Sequence, residues 1–299
     1  MNVQGWIIYN GHLPGNKFLD FAEWIKSAAS KKNSDTTIYQ NNELLTYLSS
    51  SKLQVLQNEQ QELPDYVVFT DKDIYLAKQL ELLGIRVFNT SEAIAVSDDK
   101  ILSYQYLAQE NIPIPKTIIA PKIFAKTRSI NESGLQMAIK TLGFPMIVKE
   151  AFGSFGEQVY LVHTEEELFE KVNEIQGKPF LFQEFITSSY GRDMRLHVVG
   201  NQVVAAMERH AADDFRANIT AGGTTEAYHP TKQEQDLAVA ATKAIGADFA
   251  GVDLLFGPDG NPIVCEVNSN AHIRNMYKCT NVNIADFMID YIVDTLREK

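Results

Sequence analysis

The 299-residue sequence contains only two cysteines, Cys265 and Cys279. They form no C-x-x-C pair and no disulfide framework, which points to a reducing compartment. Basic residues are also scarce, with 27 Lys and Arg against 38 Asp and Glu, a net charge of −11. That balance argues against broad binding to a nucleic-acid backbone but leaves room for one local basic pocket. No run of roughly 18 apolar residues is available to span a bilayer. Met1 to Trp6 lacks the basic residues and apolar run of a secretory signal. A cytoplasmic protein with neither nucleic acid nor membrane as partner is expected. Two nucleotide fingerprints are missing as well. Asn10-Gly11-His12-Leu13-Pro14-Gly15 after the first apolar run is not G-x-G-x-x-G. No G-x-x-x-x-G-K-[ST] occurs. Any nucleotide must be held by another device.

What is present is an ordinary globular composition, 45% apolar and 22% charged, on a chain long enough for two or three packed units. Four short β-branched or aromatic runs, Trp6 to Tyr9, Thr37 to Tyr39, Tyr66 to Phe69 and Ile85 to Phe88, read as strands. Lys17 to Ala29 and Asp71 to Leu83 between them have helical spacing, so a parallel α/β layer is expected over residues 1–96. From Ser97 the texture changes. Ser97-Asp98-Asp99-Lys100 reads as the polar opening of a helix that ends near Asn111. A helix up to Leu142, strands at Pro145 to Lys149 and Gln158 to Val162, a helix capped by Thr164 and Glu167, and a strand at Phe180 to Ile186 complete a unit over 97–187.

Residues 188–299 open with a hairpin about Gly200-Asn201. A helix from Lys232 to Ile245 follows, with Thr231 and Glu234 as its capping box. A last helix carries Ile284, Phe287, Met288, Tyr291 and Ile292 as its core-facing stripe. The most informative segment is Phe249 to Asn268, two apolar runs around the turn-rich Gly257-Pro258-Asp259-Gly260-Asn261-Pro262. A turn centred between Asp259 and Gly260 sets Asp253 opposite Glu266. One face then carries Val252, Leu254, Phe256, Ile263, Cys265 and Val267, and the other Asp253, Glu266 and Asn268. Like charges directly opposed are destabilising, so the pair calls for a shared proton or a cation. Oxygen donors of this kind suit Mg²⁺ with substrate phosphates. Two solvated acids on an exposed face are the plain alternative.

Other candidates have similarly plain alternatives. Lys149 ends a strand followed by Gly153-Ser154-Phe155-Gly156, and could neutralise phosphate charge while backbone N–H groups cover the phosphates. It could equally be a lysine reaching to water. Lys100 stands in a first helical turn against the dipole preference. Gln183-Glu184-Phe185-Ile186 could grip an adenine edge, with Glu184 or Asp193 accepting from ribose hydroxyls, or be an ordinary edge strand. Asp193 and Arg195 share a face, as do Glu208 and His210, and Arg216 and Asn218 precede Gly222-Gly223 in a polar loop. The histidines lack metal-binding spacing, and Cys265 is placed on the core face.

In order and spacing these pieces resemble the ATP-grasp superfamily, specifically the RimK-like ATP-dependent carboxylate–amine ligases of the α-L-glutamate ligase type. The likeness rests on Asp99-Lys100, Phe144 to Lys149, Gln183 to Ile186, Gly191-Arg192-Asp193-Met194-Arg195, Phe215 to Asn218 with Gly222-Gly223, Ala250 to Asp253, and Glu266-Val267-Asn268. It implies an α/β fold, a pre-ATP-grasp domain followed by a two-lobed α+β ATP-grasp core. Lys100, Lys149, Gly153, Ser154 and Gly156 would meet ATP phosphates. Gln183 to Ile186 would meet the adenine, and Asp193 the ribose side. Arg195, Arg216 and Asn218 would steady the transferred phosphoryl group. Asp253, Glu266 and Asn268 would hold two Mg²⁺ ions, with Mn²⁺ as a substitute. The implied partners are ATP, an amino acid such as glutamate, and a carboxylate-bearing peptide, protein or small molecule, with a homo-oligomer possible. A phosphotransferase using the same Mg·ATP site and a non-catalytic nucleotide sensor are the competing classes. After Asn268 the run Ser269 to Met276 departs from the small residue, Pro and Gly frequent in the family; there Arg274 and Lys278 are either acceptor-carboxylate contacts or surface charges.

Overall fold

In the computed structural model, residues 3–57, 62–122, 132–154, 156–217 and 223–298 are described. Asn218, Phe155 and Gly222, singled out above, lie outside them.

The first unit alternates strand and helix as its apolar runs predict. It contains β1 (Val3–Tyr9), α1 (Lys17–Ser30), β2 (Ser34–Gln40), β3 (Leu45–Ser49), β4 (Lys52–Leu56), β5 (Tyr66–Phe69), α2 (Ile74–Leu82), β6 (Arg86–Phe88) and α3 (Ser91–Asp98). Four strands form a parallel sheet in the order β2-β1-β5-β6. Both of its faces are buried, which accounts for the unbroken apolar runs at Trp6 to Tyr9 and Tyr66 to Phe69. β3 and β4 form a separate antiparallel hairpin that the sequence reading did not anticipate.

The second unit comprises α4 (Lys100–Gln109), β7 (Thr117–Ile119), α5 (Glu132–Leu142), β8 (Met146–Glu150), β9 (Val159–Val162), α6 (Glu165–Glu174) and β10 (Phe180–Glu184). Its sheet has the order β7-β10-β8-β9, covered by the apolar stripes of α5 and α6. The helix expected to open at Ser97 starts later. Asp99 is its cap, accepting from the N–H groups of Ile101 and Leu102, whereas Ser97 and Asp98 close α3.

The third unit holds β11 (Arg192–Val199), β12 (Gln202–His210), β13 (Thr224–Ala227), α7 (Lys232–Ala244), β14 (Phe249–Phe256), β15 (Pro262–Asn268), α8 (Arg274–Thr280) and α9 (Ile284–Arg297). Thr231 and Glu234 make the reciprocal capping box at the start of α7. The antiparallel sheet runs β13-β12-β11-β14-β15. One face, with Met194, Leu196, Val252, Leu254, Val264 and Val267, packs on α7 and α4. On the other, Val199, Ala205, Met207 and Phe249 share a core with α8, α9 and the first unit.

Asn89, fully buried just after β6, ties the first unit to this sheet. Its amide nitrogen donates to the carbonyls of Phe249 and Ser269, at 2.9 and 3.1 Å. Its oxygen accepts from the N–H groups of Asp248 and Phe249, at 2.6 and 3.1 Å.

In α9 the buried stripe is Ile284, Ala285, Met288, Ile289 and Ile292. Phe287, assigned to the core by periodicity, is 37% exposed, against 2% for Met288. The stripe is turned by about one position, so Ala285 and Ile289 take the place of Phe287. Met288→Ala should therefore cost about 2–5 kcal/mol, and Phe287→Ala within about 1 kcal/mol of nothing, read from urea unfolding. Equal losses in the two variants would contradict this orientation.

Candidate active site

The site lies on the polar half of the five-stranded sheet, where charged residues face one another across neighbouring strands. Asp193 on β11 is opposite Arg209 on β12, Arg195 on β11 opposite Asp253 on β14, and Asp253 opposite Glu266 on β15. The Arg209 guanidinium donates to both Asp193 carboxylate oxygens at 2.6 Å and reaches Asp253 at 2.8 Å. Arg195 donates to both oxygens of Asp253 at 2.6 Å. Such paired, bidentate geometry is what lets charges be buried. The clash expected between Asp253 and Glu266 is thus relieved from the β11 side by two guanidinium groups. Asp193, implied on the ribose side, has its carboxylate buried against Arg209 instead.

Two bulges adjust the sheet. Near the turn Phe256 pairs with Pro262, which centres the tip on Asp259 rather than between Asp259 and Gly260. A register shift between Asp253 and Leu254 then restores the expected Asp253–Glu266 pair. The same shift corrects the placement of Cys265 and Ile263 on the apolar face. Val264 takes that position in the core, and the Cys265 sulfur lies 4.0 Å from Lys149 Nζ, on the site side. The other bulge, between His197 and Val198, moves Arg209 opposite Asp193; unshifted pairing from the Gly200 turn would have put Glu208 there.

The second unit supplies cations from across the seam. Lys149 on β8 is buried and donates to the Tyr104 hydroxyl at 3.1 Å. Tyr104 in turn donates to the Cys265 carbonyl at 2.5 Å. Lys100, at the start of α4, donates to the Gly153 carbonyl at 3.1 Å. Gly153 and Gly156 have φ of 143° and 74°, values that favour glycine. Ser154 accepts from Lys72 at 3.2 Å, and Arg216 Nη1 donates to the Gly156 carbonyl at 2.5 Å while its guanidinium grips Asp214. At the end of β10, Gln183 donates to Thr117 at 2.9 Å and Glu184 accepts from the Lys116 N–H at 3.1 Å. Beside them Phe185 meets the rings of Tyr190 and Phe215 edge-on, and Ile186 is buried.

The backbone around Asn268 is pinned on both sides. The Ser97 hydroxyl donates to the Val267 carbonyl and accepts from the Ser269 N–H, each at 2.9 Å. Gly251 stands between His197 and Asn268 in the sheet, and a Cβ there would come within 2.3 Å of that of Ala271. The absent side chain lets the residues after β15 cross the site face. Arg274, a candidate acceptor contact, is engaged by Asp20 of α1, with Nε at 2.7 Å from the carboxylate. It therefore fastens the first unit to the third.

Residues 97–292 match the RimK-like ATP-grasp domain. The chain belongs to the RimK-like ATP-grasp family. It is a ligase. It is 34% identical over 271 residues to an uncharacterized protein of Mycoplasma pneumoniae, covering 89% of this chain and 91% of that one. A probable alpha-L-glutamate ligase of Enterobacter is 38% identical over 218 residues, covering 72% of this chain and 70% of that one. Among solved structures, the ATP-grasp ligase PsnB, complexed with minimal precursor, Mg and ADP, superposes with a TM-score of 0.70 at 17% identity, covering 98% of each chain.

The donor set of this ATP-grasp ligase fits a hard cation at Glu266 and Asn268. Among the described residues the Glu266 carboxylate makes no hydrogen bond or ion pair, and Asn268 lies two residues further along the same face of β15. Carboxylate and amide oxygens are magnesium's ligands, and Asp253 adds a second carboxylate beside them, shared with the two arginines. Lys100, Lys149 and Glu266 feel one another's charge. Burial pulls Lys100 below its usual value, and Glu266 opposes that pull. Burial also works against Lys149, but Cys265, Tyr104 and Glu266 more than offset it and its pKa is raised. Burial pushes the Cys265 thiol up to about 11. Tyr104 and Arg209 were not anticipated. Tyr104 looks like one more core position of an apolar helix, and Arg209 reaches the site face only through the bulge.

His197, two residues along the strand from Arg195, is buried with no partner at Nε2, and burial with the Arg195 charge holds its pKa down to about 3. The unfolded chain takes up that proton near the ordinary value of 6.5. The folded state therefore binds fewer protons than the unfolded state as pH falls from 6.5 towards 3, and stability is lost over that window. His197→Gln should reduce the pH slope of stability there by about one proton, measured by urea unfolding at several pH values. Superimposable slopes for wild type and variant would show that His197 takes no part.

Proposed function

We propose that the protein is an ATP-dependent carboxylate–amine ligase working through an acyl phosphate. The observation that carries this reading is the meeting, at one seam, of Lys100, Lys149, Arg195 and Arg209 with the oxygen donors Glu266 and Asn268. Such a seam suits a polyphosphate and its cation. Lys100 and Lys149 neutralise phosphate oxygens, and backbone N–H groups from Gly153 to Gly156 cover them. Gln183, Glu184, Phe185 and Ile186 border the adenine. Asp253, Glu266 and Asn268 hold Mg²⁺, two ions in this reading, which supply charge stabilisation to the transferring group. Residues 1–96, 97–187 and 188–299 act as three units around that cleft.

A substrate carboxylate oxygen bonds to the γ-phosphorus as the bond to the bridging oxygen breaks, leaving ADP and an acyl phosphate. An amine then attacks the acyl carbon, phosphate departs with its oxygen, and the nitrogen loses a proton. Arg195 and Arg216 stabilise the negative oxygens in both steps, and closure of the glycine segment excludes water. The likeness to a probable alpha-L-glutamate ligase supports glutamate as one substrate, joined to a peptide, protein or small molecule. PsnB, solved with a precursor peptide, supports a peptide as the other.

Two measurements test the reading. Glu266→Gln should lower Mg-dependent ADP release by about 100-fold or more with the circular dichroism spectrum unchanged; undiminished turnover would remove the metal assignment. Hydroxylamine added with ATP and the carboxylate substrate should yield a hydroxamate. A stable phosphorylated product and no amide would instead make the enzyme a phosphotransferase.

A further inference from the structure

On the opposite face of β12 from Arg209, three metal-ligating groups converge away from the nucleotide seam. Glu208 on β12 is directly opposite Glu226 on β13. His210, two residues further along β12, projects from the same face as Glu208. Its Nε2 lies 3.3 Å from Glu208 Oε1 and 3.4 Å from Glu226 Oε1, and all three donor atoms fall within 4.8 Å of one another. Among the described residues neither carboxylate has a lysine or arginine partner. Arg192, opposite His210 on β11, is turned over the Phe256 ring at 4.1 Å. Tyr228 donates its hydroxyl to Glu234 rather than to this pair.

Two carboxylates held face to face without a cation are destabilising. The imidazole separations are longer than the 2.7–2.9 Å or so of a charge-assisted hydrogen bond. They equal the edge of a coordination shell instead. Donors about 2.1 Å from one ion are about 3.0 Å apart at a right angle and about 3.4 Å apart in a tetrahedron.

We propose that Glu208, His210 and Glu226 form a second metal site, selective for a divalent transition ion such as Zn²⁺ and distinct from the magnesium site. An imidazole with two carboxylates favours such an ion over Mg²⁺, which prefers oxygen alone. The half-exposed His210 and the exposed Glu226 leave its remaining positions to water. The ion joins β12 to β13, the two strands between which the chain presents Arg216. It fastens the base of that segment.

The test is calorimetric titration of the full chain with ZnCl₂ in excess Mg²⁺ and ADP, beside His210→Ala and Glu226→Gln. Wild type should take up about one Zn²⁺ that each variant binds at least about tenfold more weakly, with ADP affinity unchanged. Co²⁺ in its place should give a visible absorption band that His210→Ala abolishes. Glu226, on an exposed edge strand, can be changed without threatening the fold, so its variant decides the matter if His210→Ala misfolds. Identical zinc isotherms for wild type and Glu226→Gln, or no zinc uptake by wild type, would overturn the proposal.

Discussion

Four paired charges on one face of a sheet, three of them buried and Arg195 partly so, govern the arrangement of this protein. Asp193, Arg209, Asp253 and Arg195 can leave water only because each is paired in good geometry. Two arginines and two aspartates cancel, so the group as a whole is neutral when ionised. Removing one member would strand a partner in the interior at a cost of several kcal/mol, on the order of 3–5. The consequence for chemistry lies at the edge of this group. Because the arginines satisfy Asp253, Glu266 is left as an uncommitted carboxylate facing two lysines.

Those lysines come from a different unit, Lys100 from α4 and Lys149 from β8. Tyr104 joins Lys149 to the Cys265 carbonyl, and the Val264 N–H donates to the Pro113 carbonyl at 2.8 Å. Arg216 holds the carbonyl of Gly156. Phosphates entering here would compete for Arg216 and Lys100, which now grip backbone carbonyls of the glycine segment. Substrate binding and the position of that segment would thereby be linked through the same side chains.

Much of this was legible in the residues. Alternating strand-like and helical segments announced the parallel layer of the first unit, and the Thr231–Glu234 box marked the start of α7. The Asp253–Glu266 pair followed from strand alternation about a turn. It arrived, however, by way of an off-centre tip and a compensating bulge, which periodicity does not reveal. Cys265 shows the cost of that ignorance, since one extra residue moved it from core to site. Arg209 shows the same at the other bulge. Sequence spacing assumes an unbroken pleat, and sheets bulge where a side chain must be re-aimed. Ser97 was misread for another reason. Its hydroxyl suits a helix cap locally, but a distant strand end, at Val267 and Ser269, claims it.

Asn89 carries a consequence for motion. Its four hydrogen bonds reach Asp248, Phe249 and Ser269, so one amide spans the start of β14 and the end of β15. Arg274 with Asp20, Arg86 with Asp248, and Lys31 with Asp286 rivet the same two units together. The first and third units are therefore riveted as one body, and none of these ties reaches the sheet bearing Lys149. A shift of that sheet would move Lys149 relative to Asp253 and Glu266 and leave the pairing of β14 with β15 as it stands.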